Sequence, residues 1–462
     1  MELAKARVLK IAWEAWRFRH GNDAAIVRRQ QARLQDLVKY ARIASPYYRR
    51  LYRDLPPGPA DLQSLPVVIK RDVMAHFDDW VTDPDITLES LKRDFLSDRS
   101  MVGVRYLGRY QVVTTSGTTG DPAILVHDAN SWAVYQLAGQ RGEMRLIARR
   151  RFLLGIVRHG FRAAALFVTD GHISGSVALE SARRSSSFLA KRVRMFSVLR
   201  SVGELVDELN DFQPTVLAGY PTALAVMAAE QRAGRLRIEP LLAITAGEHL
   251  TAALRGDIES TFGCEIQNRY AAAEFPALSI QCPEGRFHIS TDWYIVEPVD
   301  EHYQPAAPGA ASHTVLVTNL ANSVQPLIRY DLGDRVMLAA SPCACGNRFP
   351  AITLEGRTGD LLAFESADGG MMTVLPLALG TVIEETPGVR RFQAIRTDPR
   401  TVMVRLEAWP DADREEVWAA VQNRLHEFFK AQGAESVTVK RSADTPTVDP
   451  RSGKFRQVWS AE

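Results

Sequence analysis

The chain is poor in cysteine, with four in 462 residues (Cys264, Cys282, Cys343 and Cys345), and it has no long apolar run. So few cysteines rule out a disulfide-stapled framework and leave free thiols or a metal site as their use. The most apolar windows, such as 163–168, fall far below the ~18 to 20 residues that a transmembrane helix needs. The first residues, 1–19, mix Lys, Arg and Glu with apolar positions at helical spacing and lack the continuous apolar stretch of a signal peptide. A cytoplasmic protein without a membrane partner is the expectation. Charge of one sign is missing as well: the net charge is +2 with 24% charged residues, which gives no reason to invoke nucleic acid. Basic runs such as Arg149-Arg150-Arg151 read as solvated helix ends. No internal repeat or low-complexity tract is present.

What is there is length and alternation. A chain of 462 residues exceeds the size at which one hydrophobic core stops growing, so two or more domains are expected. Residues 24–53 follow a helical period until Pro56-Pro57-Gly58-Pro59 stops it. Then 152–157 and 164–168 resemble buried strands, 202–209 a helix, 216–218 a strand, 222–232 a helix, 241–245 a strand, 252–261 a helix and 265–270 a strand. Such alternation predicts an α/β fold with substantial parallel pairing. Residues 288–299, 314–319 and 333–339 alternate like antiparallel strands. Beyond Gly356-Arg357-Thr358-Gly359-Asp360 the pattern changes to a strand at 402–406, a helix at 414–431 and a strand near 437–439. The reading is a large N-terminal domain, 1–357, and a small α+β domain, 358–462, hinged near Asp360.

One loop stands out chemically. In Thr114-Thr115-Ser116-Gly117-Thr118-Thr119-Gly120-Asp121-Pro122, bounded by β-formers on both sides, two glycines let backbone N–H groups turn inward and the hydroxyls add donors for anionic oxygens. It lacks the Gly-Lys-Ser/Thr ending of a Walker loop. A phosphate cradle and a plain polar turn both fit these residues. A second constellation is Cys282 and His288 around a Pro-Glu-Gly turn, with Cys343-Ala344-Cys345-Gly346 as a second knuckle. Three thiolates and an imidazole can close a tetrahedral site, read as structural Zn²⁺, although the Cys-x-Cys gap is shorter than usual. Cys264 falls outside the set and reads as a small buried hydrophobe.

Further short motifs follow in order: Tyr270-Ala271-Ala272-Ala273-Glu274, Ile328-Arg329-Tyr330-Asp331-Leu332-Gly333-Asp334, Gly356-Arg357, and Pro450-Arg451-Ser452-Gly453-Lys454. With the glycine-rich loop and the opening segment (Tyr47-Tyr48 and Leu65-Pro66-Val67-Val68-Ile69-Lys70), the ordered set resembles the adenylate-forming superfamily of acyl-CoA synthetases, in the branch of phenylacetate-coenzyme A ligase and related capsule-biosynthesis proteins. The resemblance implies mixed and parallel sheets with helices and a distorted β-barrel-like part in the large domain, and a small domain that rotates about Asp360. It implies activation of a carboxylic acid, aromatic or acyl, by ATP with Mg²⁺ to an acyl-adenylate, then transfer to coenzyme A. Thr115, Ser116, Gly117, Thr118, Thr119 and Gly120 would hold the phosphates and Glu274 the Mg²⁺. Tyr270 would stack on adenine, Gly247 and Glu248 would line the nucleotide and acyl pocket, and Asp334, with Arg357 nearby, would take the ribose hydroxyls. Lys454 would neutralise charge developing between the α-phosphate and the carboxylate. The acyl pocket would draw on Ala246 and on His159, Phe161 and His172, although a histidine in such a place is more often a satisfied structural one.

Departures from the family pattern are Asp121 and Ala123, where a lysine is common after the glycines, Ala273 in place of a threonine, and Asp331 in place of a polar or basic residue. Three other functions compete with the ligase: the adenylate passed to a carrier-protein thiol or an amine, AMP transferred to a hydroxyl, or a binding protein that no longer turns over. A homodimer is the default assembly.

Overall fold

The computed structural model describes residues 23–56, 58, 61–115, 122–141, 150–167, 171–198, 200–357, 362–366, 370–374, 376–448 and 455–461. Its strands are β1 (Gln111–Thr114), β2 (Ile124–His127), β3 (Ala163–Phe167), β4 (Val193–Ser197), β5 (Val216–Gly219), β6 (Leu242–Ala246), β7 (Glu265–Tyr270), β8 (Ser279–Gln281), β9 (Phe287–Ile289) and β10 (Tyr294–Val299). They continue as β11 (Thr314–Asn319), β12 (Tyr330–Asp331), β13 (Asp334–Leu338), β14 (Ala351–Arg357), β15 (Leu362–Glu365), β16 (Met371–Val374), β17 (Val389–Asp398), β18 (Thr401–Ala408), β19 (Thr438–Arg441) and β20 (Val458–Ser460).

A nine-stranded sheet in the order β13-β14-β9-β8-β7-β6-β5-β3-β4 is the backbone of the fold. From β4 to β7 every pairing is parallel, and from β7 to β13 every pairing is antiparallel. The parallel half is short and apolar on both faces, one packed by three helices and the other meeting Phe152 and Ile156. Helices Val202–Phe212, Pro221–Arg232 and Ala252–Phe262 pack Leu209, Leu224, Met227 and Ile258 against Leu166, Leu217 and Ala243. Sequence signals fix their ends: Ser201 and Glu204 form a reciprocal capping box, Thr251 caps Leu254, and Gly263 at φ +61° stops the third helix.

The expected strand at 152–157 is instead part of the helix Arg150–His159. An unbroken apolar run carries no period of its own. The four-residue spacing of Phe152 and Ile156 places both against Val216 and Leu242, and Gly155 lies so close to Leu241 that a Cβ there would sit 2.5 Å from its Cδ1. The run 288–299 is likewise two strands, β9 and β10, assigned to different sheets, because the chain folds back where Tyr294 N–H donates to the Ser290 carbonyl at 3.0 Å. The helical run 24–53 breaks into Asp23–Ala44 and Pro46–Leu51, with Ser45 capping Tyr48 at 3.3 Å and Pro46 in the first turn.

The antiparallel half shares its core with the N-terminal segment, the β1–β2 hairpin and the three-stranded sheet β10-β11-β12. Tyr48 and Trp80 both donate to the Pro326 carbonyl, at 3.0 and 2.6 Å. After β14 a separate core begins. Phe364, Leu379, Phe392, Val404, Val421, Leu425 and Phe429 pack with one another around the sheet β19-β18-β17-β20. Among the described residues no helix is long and apolar enough to cross a membrane.

Candidate active site

The parallel strands point their C-terminal ends at a cleft of about 2350 Å³, the usual ligand position in open α/β sheets. At its rim the base of the glycine-rich loop is closed by two bonds, Thr115 N–H to the Ala123 carbonyl at 3.0 Å and Ala123 N–H to Thr115 Oγ1 at 2.8 Å. Thr115 lines the cleft. Ser116, Gly117, Thr118, Thr119, Gly120 and Asp121 lie outside the described residues.

Strand β6 ends at Ala246, and Gly247 turns the chain at φ +85°, a left-handed conformation that favours glycine. That turn presents Glu248 to the first turn of helix Pro221–Arg232, where its Oε2 accepts from Thr222 N–H at 3.1 Å and Thr222 Oγ1–H at 2.7 Å. A carboxylate is favoured there by the helix dipole. Strand β7 delivers Tyr270, whose hydroxyl donates to Asp334 Oδ2 at 2.6 Å, with its ring edge-on to Phe287 at 6.1 Å. Asp334 opens β13 after Gly333 at φ +74°, directly across from Arg357 in β14. Glu274 lies past the end of β7, 7% exposed, and accepts from the Tyr330 hydroxyl at 3.3 Å. Its own carbonyl accepts from Asn319 Nδ2 at 3.2 Å. Asp331 has a structural occupation: Oδ1 accepts from Thr314 Oγ1 at 2.5 Å and Gly333 N–H at 3.0 Å, and Oδ2 from Tyr303 at 3.1 Å. It holds the turn that places Asp334.

Phe161 and Ala246 line the cleft together with Phe152, Val216, Leu242 and Ile244, which gives it an apolar floor. The expected pocket residues His159 and His172 are not among its lining residues. His172 is 2% exposed and its ring packs against Phe95 at 5.1 Å. Burial lowers its pKa, and its carbonyl takes the Thr114 N–H at 2.7 Å. It therefore braces the end of β1 at Thr114 through its backbone. His159 is the last residue of its helix.

Cys282, His288, Cys343 and Cys345, which are not among the lining residues of the cleft, place their donor atoms within 4.8 Å of one another. Cys282 Sγ and Cys343 Sγ are 3.7 Å apart, close to the ~3.8 Å edge of a tetrahedron with 2.3 Å metal–sulfur bonds. His288 Nε2 lies 3.1 Å from Cys345 Sγ, while Nδ1 contacts the Phe349 carbonyl at 2.7 Å. That contact fixes the tautomer that leaves Nε2 free to ligate. Burial lowers the His288 pKa, which favours the neutral ring that a ligand presents. Cys264 is buried and separate.

No family model matches the chain. Phenylacetate-coenzyme A ligase of Thermus thermophilus is 25% identical over 374 residues, which span 78% of this chain and 75% of that protein. Protein CapK of Staphylococcus aureus is 27% identical over 231 residues, 48% of this chain and 49% of CapK. Both curated relatives fit the resemblance to the adenylate-forming superfamily and its phenylacetate-coenzyme A ligase-like branch. Among solved structures, 2-hydroxyisobutyryl-CoA ligase in the postadenylation state with R3-HIB-AMP superposes with TM-score 0.68 at 19% identity, covering 94% of this chain and 89% of that one. The same ligase in an open conformation with 2-HIB-AMP and CoA gives TM-score 0.57 at 18% identity, covering 94% and 90%.

Of the residues that the adenylate-forming resemblance singled out, Thr115, Ala246, Gly247, Glu248, Tyr270, Glu274 and Asp334 all line the one cleft. Arg357 is on β14 opposite Asp334, and its side chain lies outside the described residues, as do Asp360 and Lys454. Residues that sequence reasoning passed over are Thr222, Gln393 and Phe455, which also line the cleft. For Thr222 a signal existed, since Tyr220-Pro221-Thr222 opens a helix. For Gln393, inside a strand, there was none.

Proposed function

We propose that this chain is an AMP-forming acid–thiol ligase, converting a carboxylic acid and ATP to an acyl-adenylate and pyrophosphate and then passing the acyl group to coenzyme A with release of AMP. One observation carries the reading: residues as distant in sequence as Thr115, Glu248, Tyr270, Glu274 and Asp334 converge on a single cleft, with Tyr270 and Asp334 hydrogen-bonded across it. The relatives support it, one being a phenylacetate-coenzyme A ligase and one a hydroxyacyl-CoA ligase solved with its acyl-adenylate.

In this reading the donors of residues 115–120 hold the β- and γ-phosphates. The Tyr270 ring, kept in place by its bond to Asp334, lies against adenine, and the remaining acceptor capacity of Asp334, with Arg357 opposite, takes ribose hydroxyls. Glu274 would hold Mg²⁺, which supplies neutralisation of phosphate charge. Lys454 stabilises the charge that develops when the carboxylate attacks the α-phosphorus. The apolar floor of Phe152, Phe161, Val216, Leu242 and Ile244 suits an aromatic or aliphatic acid. Residues 1–357 form the adenylating domain and 358–462, with the core of their own described above, the mobile one, pivoting at Asp360 between the two half-reactions. The Cys282, His288, Cys343 and Cys345 set is assigned to structural Zn²⁺ and takes no part in the chemistry.

Carboxylate-dependent exchange of labelled pyrophosphate into ATP, run against a panel of acids, tests the reading. Exchange with at least one acid, falling on Lys454→Ala by roughly 10²- to 10³-fold, is expected. No exchange with any acid, together with no ATP binding, refutes it and leaves a binding protein on this fold. Thioester formation with coenzyme A, set against carrier-protein or amine acceptors, identifies the second substrate.

A further inference from the structure

The connection between β19 and β20 carries Arg451 and Lys454 and re-enters the described residues at Phe455. One buried side chain holds both of its ends. Gln393 on β17, 2% exposed, donates from Nε2 to the Thr447 carbonyl at 2.7 Å and to the Arg456 carbonyl at 3.0 Å. Its Oε1 accepts the Thr447 N–H at 3.0 Å and Arg405 Nη1 at 3.3 Å. Both amide hydrogens and the carbonyl oxygen are thus spent on this strap and its neighbour. A further contact reaches the strap from the large sheet. Glu248 Oε1 accepts the Phe455 N–H at 2.5 Å while Oε2 is occupied by Thr222. The Phe455 side chain is buried, with the Arg391 guanidinium 4.8 Å from its ring.

We infer that Glu248 and Gln393 are positioning residues for the adenylation half-reaction, holding Thr447, Phe455 and Arg456, which flank Lys454 in the sequence. The inference rests on the ligase reading of this site. Phe455 follows Lys454 directly, so the amide that Glu248 holds is one peptide unit from the lysine. Both Glu248 oxygens already accept protein donors, so its resemblance-based role as a nucleotide contact gives way to that of an anchor. A charge-assisted bond is the right kind of anchor, because it is strong at short range and parts without leaving a buried orphan once Glu248 can turn to water. The two residues act on opposite sides: Gln393 ties Thr447 to Arg456 within the smaller core, and Glu248 ties Phe455 to the large sheet. Rotation of the small domain for thioester formation breaks the second contact and keeps the first.

Two measurements on the full chain decide it. Amide hydrogen exchange at Phe455 reads the anchor whether or not the protein turns over. Removing either partner with Glu248→Gln or Gln393→Leu should speed that exchange roughly 10- to 100-fold, the scale of one hydrogen bond to a charged group, and unchanged protection in both variants overturns the inference. Glu248→Gln preserves volume, so it stands in should the buried Gln393→Leu fail to fold. Pyrophosphate exchange reads the consequence. It should fall by a similar factor in each variant, while Gln393→Leu converts supplied acyl-adenylate and coenzyme A to thioester within about 2-fold of wild type; equal loss in both half-reactions overturns the positioning role. In a Lys454→Ala background Glu248→Gln should add less than about 3-fold, since the anchor acts through the lysine, and a fully multiplicative loss refutes that. A wild-type protein with no pyrophosphate exchange would sink the ligase reading, while Phe455 protection would still decide the anchor.

Discussion

Removing the metal assigned to Cys282, His288, Cys343 and Cys345 should lower stability without altering chemistry. Cys282 and Cys343 are 61 positions apart. A cross-link closing a loop of that length takes about 4 kcal/mol of conformational entropy out of the unfolded ensemble. Strands β8, β9 and β14 already pair beneath the cluster, so the folded framework stays the same and the cost falls on the unfolded state. With an unfolding entropy of ~2.1 cal/mol/K per residue over a large domain of roughly 340 residues, that free energy corresponds to a Tm drop of about 6 °C. The assay is a thermal melt of the purified chain before and after chelation, with zinc quantified in each sample and Cys343→Ser as the covalent counterpart. Cys264→Ser, outside the cluster, should leave zinc content unchanged. Pyrophosphate exchange measured well below the melt should be the same with and without metal. Less than about half an equivalent of zinc in fresh protein, or a Tm shift below about 1 °C on Cys343→Ser, would refute the assignment.

Tyr270→Phe removes the 2.6 Å bond to Asp334 and should weaken ATP binding by roughly 10-fold; an unchanged Kd by calorimetry counts against the coupling of ring and carboxylate. Burial holds the His127 pKa down to about 3, so the unfolded chain binds this proton below about pH 6.5 and the folded chain does not until near 3. Its contribution is complete above the unfolded pKa and is lost as pH falls through that window, at up to about 1.4 kcal/mol per pH unit. Denaturant titrations should therefore show a shallower acid slope in His127→Gln, and parallel slopes would refute this. Gly103 sits at φ +74°, and a Cβ there would lie 2.7 Å from the backbone of Glu180 and Ser181. Gly103→Ala should cost about 2 to 5 kcal/mol through left-handed strain and overpacking, read by chemical denaturation, and a change under about 1 kcal/mol would contradict the close approach.

Much of the fold was legible because local signals and tertiary burial agreed. The strand–helix alternation from 202 to 270 appears nearly as read, since each element carries its own cap or stop, as at Ser201, Thr251 and Gly263. The failures fall where the sequence carries no period. Residues 152–157 are apolar whichever way they fold, and only the shape of the sheet beneath Phe152 and Ile156 selects a helix. Within the run 288–299, alternation continues across a fold-back that moves the chain between sheets. Asp331 looked like a departure at the site and is a brace of the turn that places Asp334.

The sequence by itself determined the chemistry on offer: a glycine- and hydroxyl-rich loop, a tyrosine–glutamate pair at a strand exit, an aspartate after Arg-Tyr-x-x-Gly, a C-terminal lysine, and four soft metal donors. Residue type and order suffice for that, because the reacting groups need particular atoms and particular turns. Only the tertiary structure decided who holds whom. It packed His172 against Phe95 and not into the cleft lining, joined Tyr270 to Asp334 across 64 positions, and brought Glu248 to Phe455 across 207. Contacts at such separations arise from the packing of whole sheets, and no local pattern encodes them.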